Sequence, residues 1–208
     1  MSQNLWAKDW EKINETILNL NREQDILTAM NNFLLDIEKL IPYEKACIYF
    51  YDLSQPEIVK DYLGQGFTNK ELKDYELYYC NIDDVVDKMK PNRDVVIRSS
   101  DAFDLEKRKD TEYFIDYVTP AHTKVSLDSN FRWDKKGAGY CIGSLDLFRE
   151  ENDTDFSEKE IEICRIFQPH LELKASNYAF MFENMASRYS LTSTEKDIAT
   201  MVLKGYSN

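Results

Sequence analysis

Residues 143–176 read GSLDLFREENDTDFSEKEIEICRIFQPHLELKAS, and this stretch decides the expected fold because it joins a strand pattern to a long helix pattern. Between the two patterns, Ser157 and Glu160 fit a capping box, in which both side chains satisfy backbone amides at a helix start. Pro169 is expected to kink this helix, over 157–188, and not to end it, since the apolar stripe resumes beyond it. That stripe has helical spacing and consists of Ile161, Cys164, Phe167, Leu171, Ala175, Tyr178, Phe182 and Met185.

Upstream of the long helix, short β-branched and aromatic stretches predict the strands of one sheet. They cover residues 45–52, 57–64, 94–100, 122–131 and 137–149. The first hairpin is expected to turn at Ser54, Gln55 and Pro56, and the last at Lys135, Lys136 and Gly137. Strands joined by short turns pair antiparallel, so the sequence predicts a central antiparallel sheet.

Two amphipathic helices precede the strands, and two short helices lie between them. The first long helix carries an apolar stripe of Trp6, Trp10, Ile13, Ile17 and Leu20. The second ends near Pro42 and carries Leu27, Met30, Leu34, Ile37 and Ile41. The short helices are predicted over 68–80, with a Thr cap, and over 110–120, ended by Pro120. Helices outside a sheet give an α+β fold.

Length, composition and cysteine spacing restrict the class of protein. A chain of 208 residues with 43% hydrophobic content predicts one domain with a substantial core. No run of residues is long enough to span a bilayer, and the first 20 residues lack signal-peptide features. The four cysteines, Cys47, Cys80, Cys141 and Cys164, are widely spaced, which predicts reduced thiols in a cytoplasmic protein. With only two histidines, neither a metal site nor a cofactor is expected.

The charge of the chain separates its body from its tail. The net charge is −12, and the tail from Leu191 contributes nothing to it, because Glu195 and Asp197 cancel Lys196 and Lys204. An acidic body repels phosphate groups. Residues 1–190 are therefore poor candidates for direct contact with nucleic acid.

The tail, LTSTEKDIATMVLKGYSN over 191–208, has the pattern of a helix, a turn and the start of another helix. Thr192 and Glu195 fit a capping box, and Gly205 stands where a left-handed C-cap belongs. The order Leu-Thr, a Glu three positions after the Thr, an apolar run and Gly-Tyr-Ser-Asn resembles the first part of the helix-turn-helix domain of LuxR-type transcription regulators. The resemblance implies that residues 189–208 begin a truncated DNA-binding domain, so that only the full-length protein would bind DNA.

Residues 24–184 resemble a GAF domain in the order of their elements. The most specific stretches are IPYEKACIYFYD over 41–52, with Pro and an aromatic before the first core strand, and the 143–176 stretch. The resemblance implies that the long terminal helices cover one sheet face, and that short helices and loops cover the other. It further implies a sensor domain over 1–188, including the N-terminal helix, that signals through a homodimer.

Tyrosines crowd the strands and the helices expected to cover one sheet face. Strand alternation places Cys47, Tyr49 and Tyr51 on the same face. A tyrosine ring can line a wall while its hydroxyl points into polar space, which suits a site for a small molecule. We therefore predict a ligand cavity between the sheet and the 68–80 and 110–120 helices, and its lining residues are Tyr49, Tyr51, Tyr62, Tyr75, Tyr79 and Asp83.

Two alternatives remain open for these residues. The rings can simply fill the core, with their hydroxyls at its edge. Asp83, expected to accept a hydrogen bond from a ligand amide or hydroxyl, can instead cap the helix that DDVVDKM suggests.

The segment GFTNKELKDYELYYCNIDDVV over 66–86 faintly resembles the ligand-covering segment of acyl-homoserine-lactone receptors. Tyr75 and Asp83 match a tyrosine and an aspartate of that pattern. However, Glu71 stands in place of a tryptophan, Asp84 replaces a proline, and the Tyr-to-Asp spacing is one residue short. Lactone binding is therefore not carried over to this chain.

Catalytic motifs are weak, and no enzyme activity is expected. His122 and His170 have no Ser, Cys or Asp at a spacing that suggests a triad. Some GAF proteins reduce free methionine sulfoxide with clustered cysteines, and Cys47, Cys80 and Cys141 are expected on one face. The alternatives to a ligand sensor are thus a cysteine-dependent small-molecule reductase and a ligand-free dimerisation module.

Overall fold

A computed structural model of the chain describes residues 5–51, 59–84, 96–135, 138–150 and 154–188, with isolated positions 191, 192, 194, 195, 198 and 201. Side chains are not described for 59–61, 133–135, 138–140 and 178–188. The hairpin turn at 54–56 and two residues of the turn at 135–137 fall outside these ranges.

A five-stranded antiparallel sheet is the centre of the fold. Its strands are β1 (Lys45–Tyr51), β2 (Val59–Gln65), β3 (Val96–Arg98), β4 (Val125–Lys135) and β5 (Ala138–Arg149). They lie in the order β2-β1-β5-β4-β3, and every neighbouring pair is antiparallel. The long β5 pairs with both β1 and β4 and therefore occupies the middle of the sheet. These strands and their antiparallel pairing confirm the predicted sheet.

Three long helices cover one face of the sheet. They are α1 (Ala7–Arg22), α2 (Ile26–Ile37) and α6 (Glu158–Arg188). Helix α6 begins at the predicted capping box, where the Ser157 backbone amide donates to Glu160 Oε2 over 2.7 Å, and it continues through Pro169. These helices bury an apolar core against inward residues of β1 and β5, including Ile48, Leu145 and Leu147. Burial of such side chains is the main favourable contribution to folding.

Short elements cover the opposite face. They are α3 (Asn69–Leu77), a 3₁₀ turn (Tyr79–Asn81), α4 (Ser99–Ala102), α5 (Leu105–Arg108) and a π-helical turn (Phe114–Val118). Two stretches of this face are called the cover below. The first runs from α3 through the 3₁₀ turn to Asp84, and the second runs from α5 to the end of the π-helical turn. This unequal arrangement of long and short helices confirms the predicted α+β, GAF-like architecture.

Several element boundaries differ from the predictions. Helix α2 stops at Ile37, four residues before Ile41, because turn hydrogen bonds replace the helical ladder there. Helix α3 ends at Leu77, since Tyr78 has φ −140° and the chain tightens into the 3₁₀ turn. The helix predicted over 110–120 winds as a π-helical turn, with the Thr119 amide donating to the Phe114 carbonyl oxygen at 2.9 Å.

Candidate functional site

The cover-side face of the sheet forms the floor of the candidate site and is polar at its centre. Strand alternation places Cys47, Tyr49 and Tyr51 of β1 on this face, as predicted, while Ile48 and Phe50 join the opposite core. On β5, Asp146 lies directly opposite Cys47 on one side and Asp128 of β4 on the other. Further polar residues of the floor are Ser126, Asn130 and Ser144, through the same alternation and register. The floor thus differs sharply from the apolar face under the long helices.

Tyrosine rings connect the cover to the floor. The ring of Tyr75 on α3 lies 5.2 Å from that of Tyr49, centroid to centroid, and 5.6 Å from that of Tyr117. Tyr79 lies 4.8 Å from Tyr117, and Tyr113 stacks on Tyr117 at 5.7 Å. These distances are typical of favourable aromatic pairs. The rings therefore form one continuous cluster between α3 and the π-helical turn.

Asp83 holds two parts of the cover together. The hydroxyls of Tyr75 and Tyr113 each donate a hydrogen bond of 2.9 Å to Asp83 Oδ2. The side chain of Asp83 is 7% exposed. Hydrogen bonds to a charged carboxylate are stronger than neutral ones, so this buried junction joins α3 to the segment before the π-helical turn.

Arg108 supplies positive charge beside this junction. Its Nη2 lies 2.7 Å from Asp84 Oδ1 and 3.8 Å from Asp83 Oδ1, and the side chain is buried. The guanidinium also lies over the rings of Phe103, at 4.6 Å, and Tyr113, at 5.7 Å. Arg108 therefore compensates the acidic pair of Asp83 and Asp84 within the cover.

The structure brings the predicted site residues together. Tyr49 and Tyr75 are buried, and Tyr51, Tyr62 and Tyr79 are partly buried against the same cluster. Asp83 contacts the cluster through two tyrosine hydroxyls. The rings are in contact with one another. The cavity predicted among them stays a prediction. The helix that Asp83 was alternatively expected to cap falls mostly on residues outside the described ranges.

Sequence reasoning missed the polar centre of the floor and the role of Arg108. It assigned Tyr113 and Tyr117 to the cover but not to the site. A signal for the floor was present, since VSLDSN and GSLDLF alternate polar and apolar residues, which places Ser126, Asp128, Ser144 and Asp146 on one face. Arg108 gave no such signal, because its partners are distant along the chain.

Burial controls the protonation of the site. It raises the pKa of the Tyr49, Tyr51, Tyr75 and Tyr113 hydroxyls well above the ordinary tyrosine value, so these hydroxyls are neutral donors. Burial also raises the pKa of all four free thiols, Cys47, Cys80, Cys141 and Cys164. Neutral thiols are poor nucleophiles.

The pKa values of two carboxyl groups of the floor are also raised. Burial raises the pKa of Asp128 to about 7, and it raises the pKa of Asp146 well above its ordinary value, with the neighbouring charge of Asp128 adding to the effect.

A surface groove of about 640 Å³ lies elsewhere, near the start of α6, and its walls include Tyr43, Arg149 and Lys159. Arg149 is already engaged there, since Nη2 lies 2.5 Å from Glu160 Oε1 and 2.7 Å from the Pro42 carbonyl oxygen. These contacts join β5 to α6 and to the segment before β1. The charged side chain of Arg149 in this groove therefore has a structural role.

Among the described residues, no three or more His, Cys, Asp or Glu side chains are grouped so as to hold a metal ion. Within the same ranges, no helix has the length and apolar character needed to cross a membrane.

Comparison with known proteins identifies the fold. No protein-family model matches the chain, and no curated protein matches it in sequence. Among solved structures, it is similar to the N-acylhomoserine lactone dependent LuxR family transcription factor CepR2 from Burkholderia cenocepacia, with 13% identity, a TM-score of 0.56 and coverage of 86% of this chain and 99% of that one. A phycoerythrobilin-bound GAF domain from a cyanobacterial phytochrome has 12% identity and a TM-score of 0.55, covering 85% and 99% of the two chains.

An enzyme also shares this architecture. The free methionine-R-sulfoxide reductase from Neisseria meningitidis, in complex with its substrate, has 13% identity and a TM-score of 0.50, over 86% of this chain and 99% of that one. Identities this low show the fold alone. The chain therefore has the GAF-like fold that also occurs in a LuxR family transcription factor and in the GAF domain of a phytochrome.

Proposed function

We propose that this chain is the sensor domain of a DNA-binding transcription regulator of the LuxR type. A small molecule or partner would be sensed between the floor and the cover, and the signal would pass through a helical homodimer. The observation that carries this proposal is the junction at Asp83, which ties a cover of short elements over a polar sheet face. Short elements open more easily than long packed helices, which suits ligand entry.

The contacts of Asp83 indicate how a ligand would bind. A ligand amide or hydroxyl would donate to Asp83, taking over or sharing the position of a tyrosine hydroxyl, while the rings of Tyr49, Tyr51, Tyr62, Tyr75 and Tyr79 line its apolar part. Movement of α3 against the segment before the π-helical turn would follow directly, because Tyr75 and Tyr113 bind the same carboxylate oxygen.

The proposed domain division places the sensor over 1–188 and the start of a helix-turn-helix domain over 189–208. Geometry at the tail supports the second assignment: the Thr192 amide donates to Glu195 Oε2 at 2.8 Å, and the Glu195 amide donates back to Thr192 Oγ1 at 3.4 Å. This is the reciprocal capping box that the resemblance requires. DNA contact would then come from the complete helix-turn-helix domain. A cytoplasmic location is proposed because the cysteines are free thiols.

Native mass spectrometry tests the ligand site. Wild-type chain, mixed with a metabolite extract of its host cells, is expected to retain a small molecule that survives desalting. Asp83→Asn weakens the acceptor and is expected to lose most of this bound species. Asp110→Asn is the matched control, because Asp110 is an exposed carboxylate within the cover. Absence of any retained molecule, or equal retention by both variants, would favour the ligand-free dimerisation module.

One observation favours the reductase alternative: Cys47 and Cys80 both pack in the tyrosine cluster. Against it, burial raises the pKa of both thiols, which lowers their nucleophilicity. Assaying reduction of free methionine sulfoxide with a thiol reductant decides between the two. We expect no turnover by wild-type chain, and turnover that disappears in Cys80→Ser would establish the enzyme.

A further inference from the structure

Asp128 and Asp146 place two carboxyl groups side by side at the centre of the floor. They are direct cross-strand neighbours in the register of β4 and β5. Directly opposed residues have Cβ atoms about 4.5–5.5 Å apart, and like charges at such positions repel. Asp128 is 2% exposed, so water cannot screen the repulsion there.

The contacts of the two carboxyl groups do not neutralise them. Ser126 Oγ donates to Asp128 Oδ2 at 2.7 Å, and Ser144 Oγ donates to Asp146 Oδ2 at 3.0 Å. The thiol of Cys47, on β1, lies 3.9 Å from Asp146 Oδ2. Across the part of the chain that the structure describes, neither carboxyl group forms an ion pair with a lysine or an arginine.

The cover faces this pair with charges of both signs. Asp83 repels a negative charge on either Asp128 or Asp146, and Arg108 attracts a negative charge on Asp128 more weakly. On β1, the buried hydroxyls of Tyr49 and Tyr51 also respond to the charge of Asp146. Because the repulsion by Asp83 is stronger than the attraction by Arg108, the pair keeps at least one proton.

We propose that Asp128 and Asp146 share a proton that keeps the cover closed, so that losing it at rising pH loosens the attachment of the cover through Asp83. The biological meaning, pH control of the sensing site, rests on the proposed function. The titration is a property of the chain without ligand. An experiment can therefore exclude the shared proton without excluding the proposed sensing function, and the reverse also holds.

The sign of the pH dependence follows from the folded chain binding this proton more tightly than the unfolded chain. The pKa of Asp128 lies near 7 in the folded chain, against an ordinary value of 3.8, and that of Asp146 is also raised. The stabilising effect is complete below the ordinary value and is lost as pH rises through about 7. Because at least one proton is involved, the folding equilibrium constant falls at least about tenfold per pH unit across that window.

Urea unfolding of the full chain between pH 5 and pH 8, without ligand, measures this slope. Wild-type chain is expected to lose at least about tenfold in folding constant per pH unit between about pH 5 and 7. Asp128→Asn and Asp146→Asn are each expected to flatten the slope, whereas the exposed control Asp110→Asn leaves it unchanged. A flat wild-type profile, or a slope that persists in both asparagine variants, would overturn the shared proton.

Two further measurements remain decisive if a variant fails to fold. Infrared difference spectra of wild-type chain between pH 5 and pH 8 are expected to show loss of a protonated carboxyl group, and its absence would overturn the proposal. Hydrogen-exchange protection is expected to fall more at high pH in 69–82 and 111–118 than in α1 and α2. Equal loss in all four segments would show that the proton does not hold the cover.

Discussion

At the scale of single residues, the chain depends on a few buried hydrogen bonds whose partners are far apart in sequence. Asp83 accepts from Tyr75 eight residues away and from Tyr113 thirty residues away. Each bond joins a different part of the cover to one carboxylate. The attachment of the two parts of the cover to each other is therefore expected to depend on this residue.

Removing one of these hydroxyls is expected to destabilise the chain. Tyr75→Phe and Tyr113→Phe each leave the ring and delete a buried hydrogen bond to a charged group, so we expect a loss of about 1.5–3 kcal/mol in the free energy of unfolding. Urea denaturation measures it. Tyr78→Phe is the control, because its hydroxyl donates at 2.6 Å to Glu112 on the exposed surface, so a much smaller loss is expected. Equal losses in control and test would refute the buried junction.

At the scale of elements, Arg149 links the end of β5 to the first turn of α6. Its guanidinium donates to the Pro42 and Thr154 carbonyl oxygens and to Glu160. Burial raises the pKa of Glu160, but hydrogen bonds from Arg149 and Ser157 outweigh burial and hold the pKa below its ordinary value. The sequence motif that starts α6 is thus completed by a strand residue outside the motif.

Arg149→Met is expected to cost about 3–5 kcal/mol in the free energy of unfolding, because it leaves the Glu160 carboxylate partly buried without its cation. Chemical denaturation at neutral pH provides the measurement. Arg165→Met serves as control, since Arg165 is half exposed and its Nη1 lies 3.8 Å from Glu162. A cost below about 1 kcal/mol for Arg149→Met would show that the contact is an ordinary surface ion pair.

At the scale of the whole molecule, the N-terminal helix divides its apolar stripe between the core and the surface. Ile13 and Leu20 are buried, and Ile17 is partly buried, against the domain, whereas Trp6 remains 75% exposed and Trp10 45% exposed. Two exposed tryptophans at the start of one helix are an unfavourable surface for a monomer. They support the proposed homodimer, with the distal part of α6 as the second contributor.

We predict that Trp6→Glu with Trp10→Glu converts a dimer at micromolar concentration into a monomer, since charges at the interface oppose association. Analytical ultracentrifugation measures the change. Leu77→Glu is the control, because Leu77 is 67% exposed and lies on the opposite, cover side. A wild-type chain that already sediments as a monomer, or a control that dissociates equally, would exclude dimerisation through this helix.

Local patterns in the sequence predicted the helices and strands of this protein, and the resemblance to GAF domains predicted their layers. Alternation in Cys47–Tyr51, the capping boxes at Ser157 and Thr192, and the helical stripes are local patterns, since each depends on residues a few positions apart. They predicted the strands, the long helices and a tyrosine-rich cover. The grouping of Tyr75 and Asp83 was also predicted, because the two residues are close in the chain.

The contacts between distant polar groups depend on how the whole chain folds. The neighbouring positions of Asp128 and Asp146 depend on strand register, and a shift of one residue would move either side chain to the opposite face. The pairing of Arg108 with Asp84 joins residues 24 apart, and the π-helical winding of 114–118 departs from the ordinary helix that the local pattern predicted. Register and long-range packing are set by the whole core, so no local pattern in the sequence carries them.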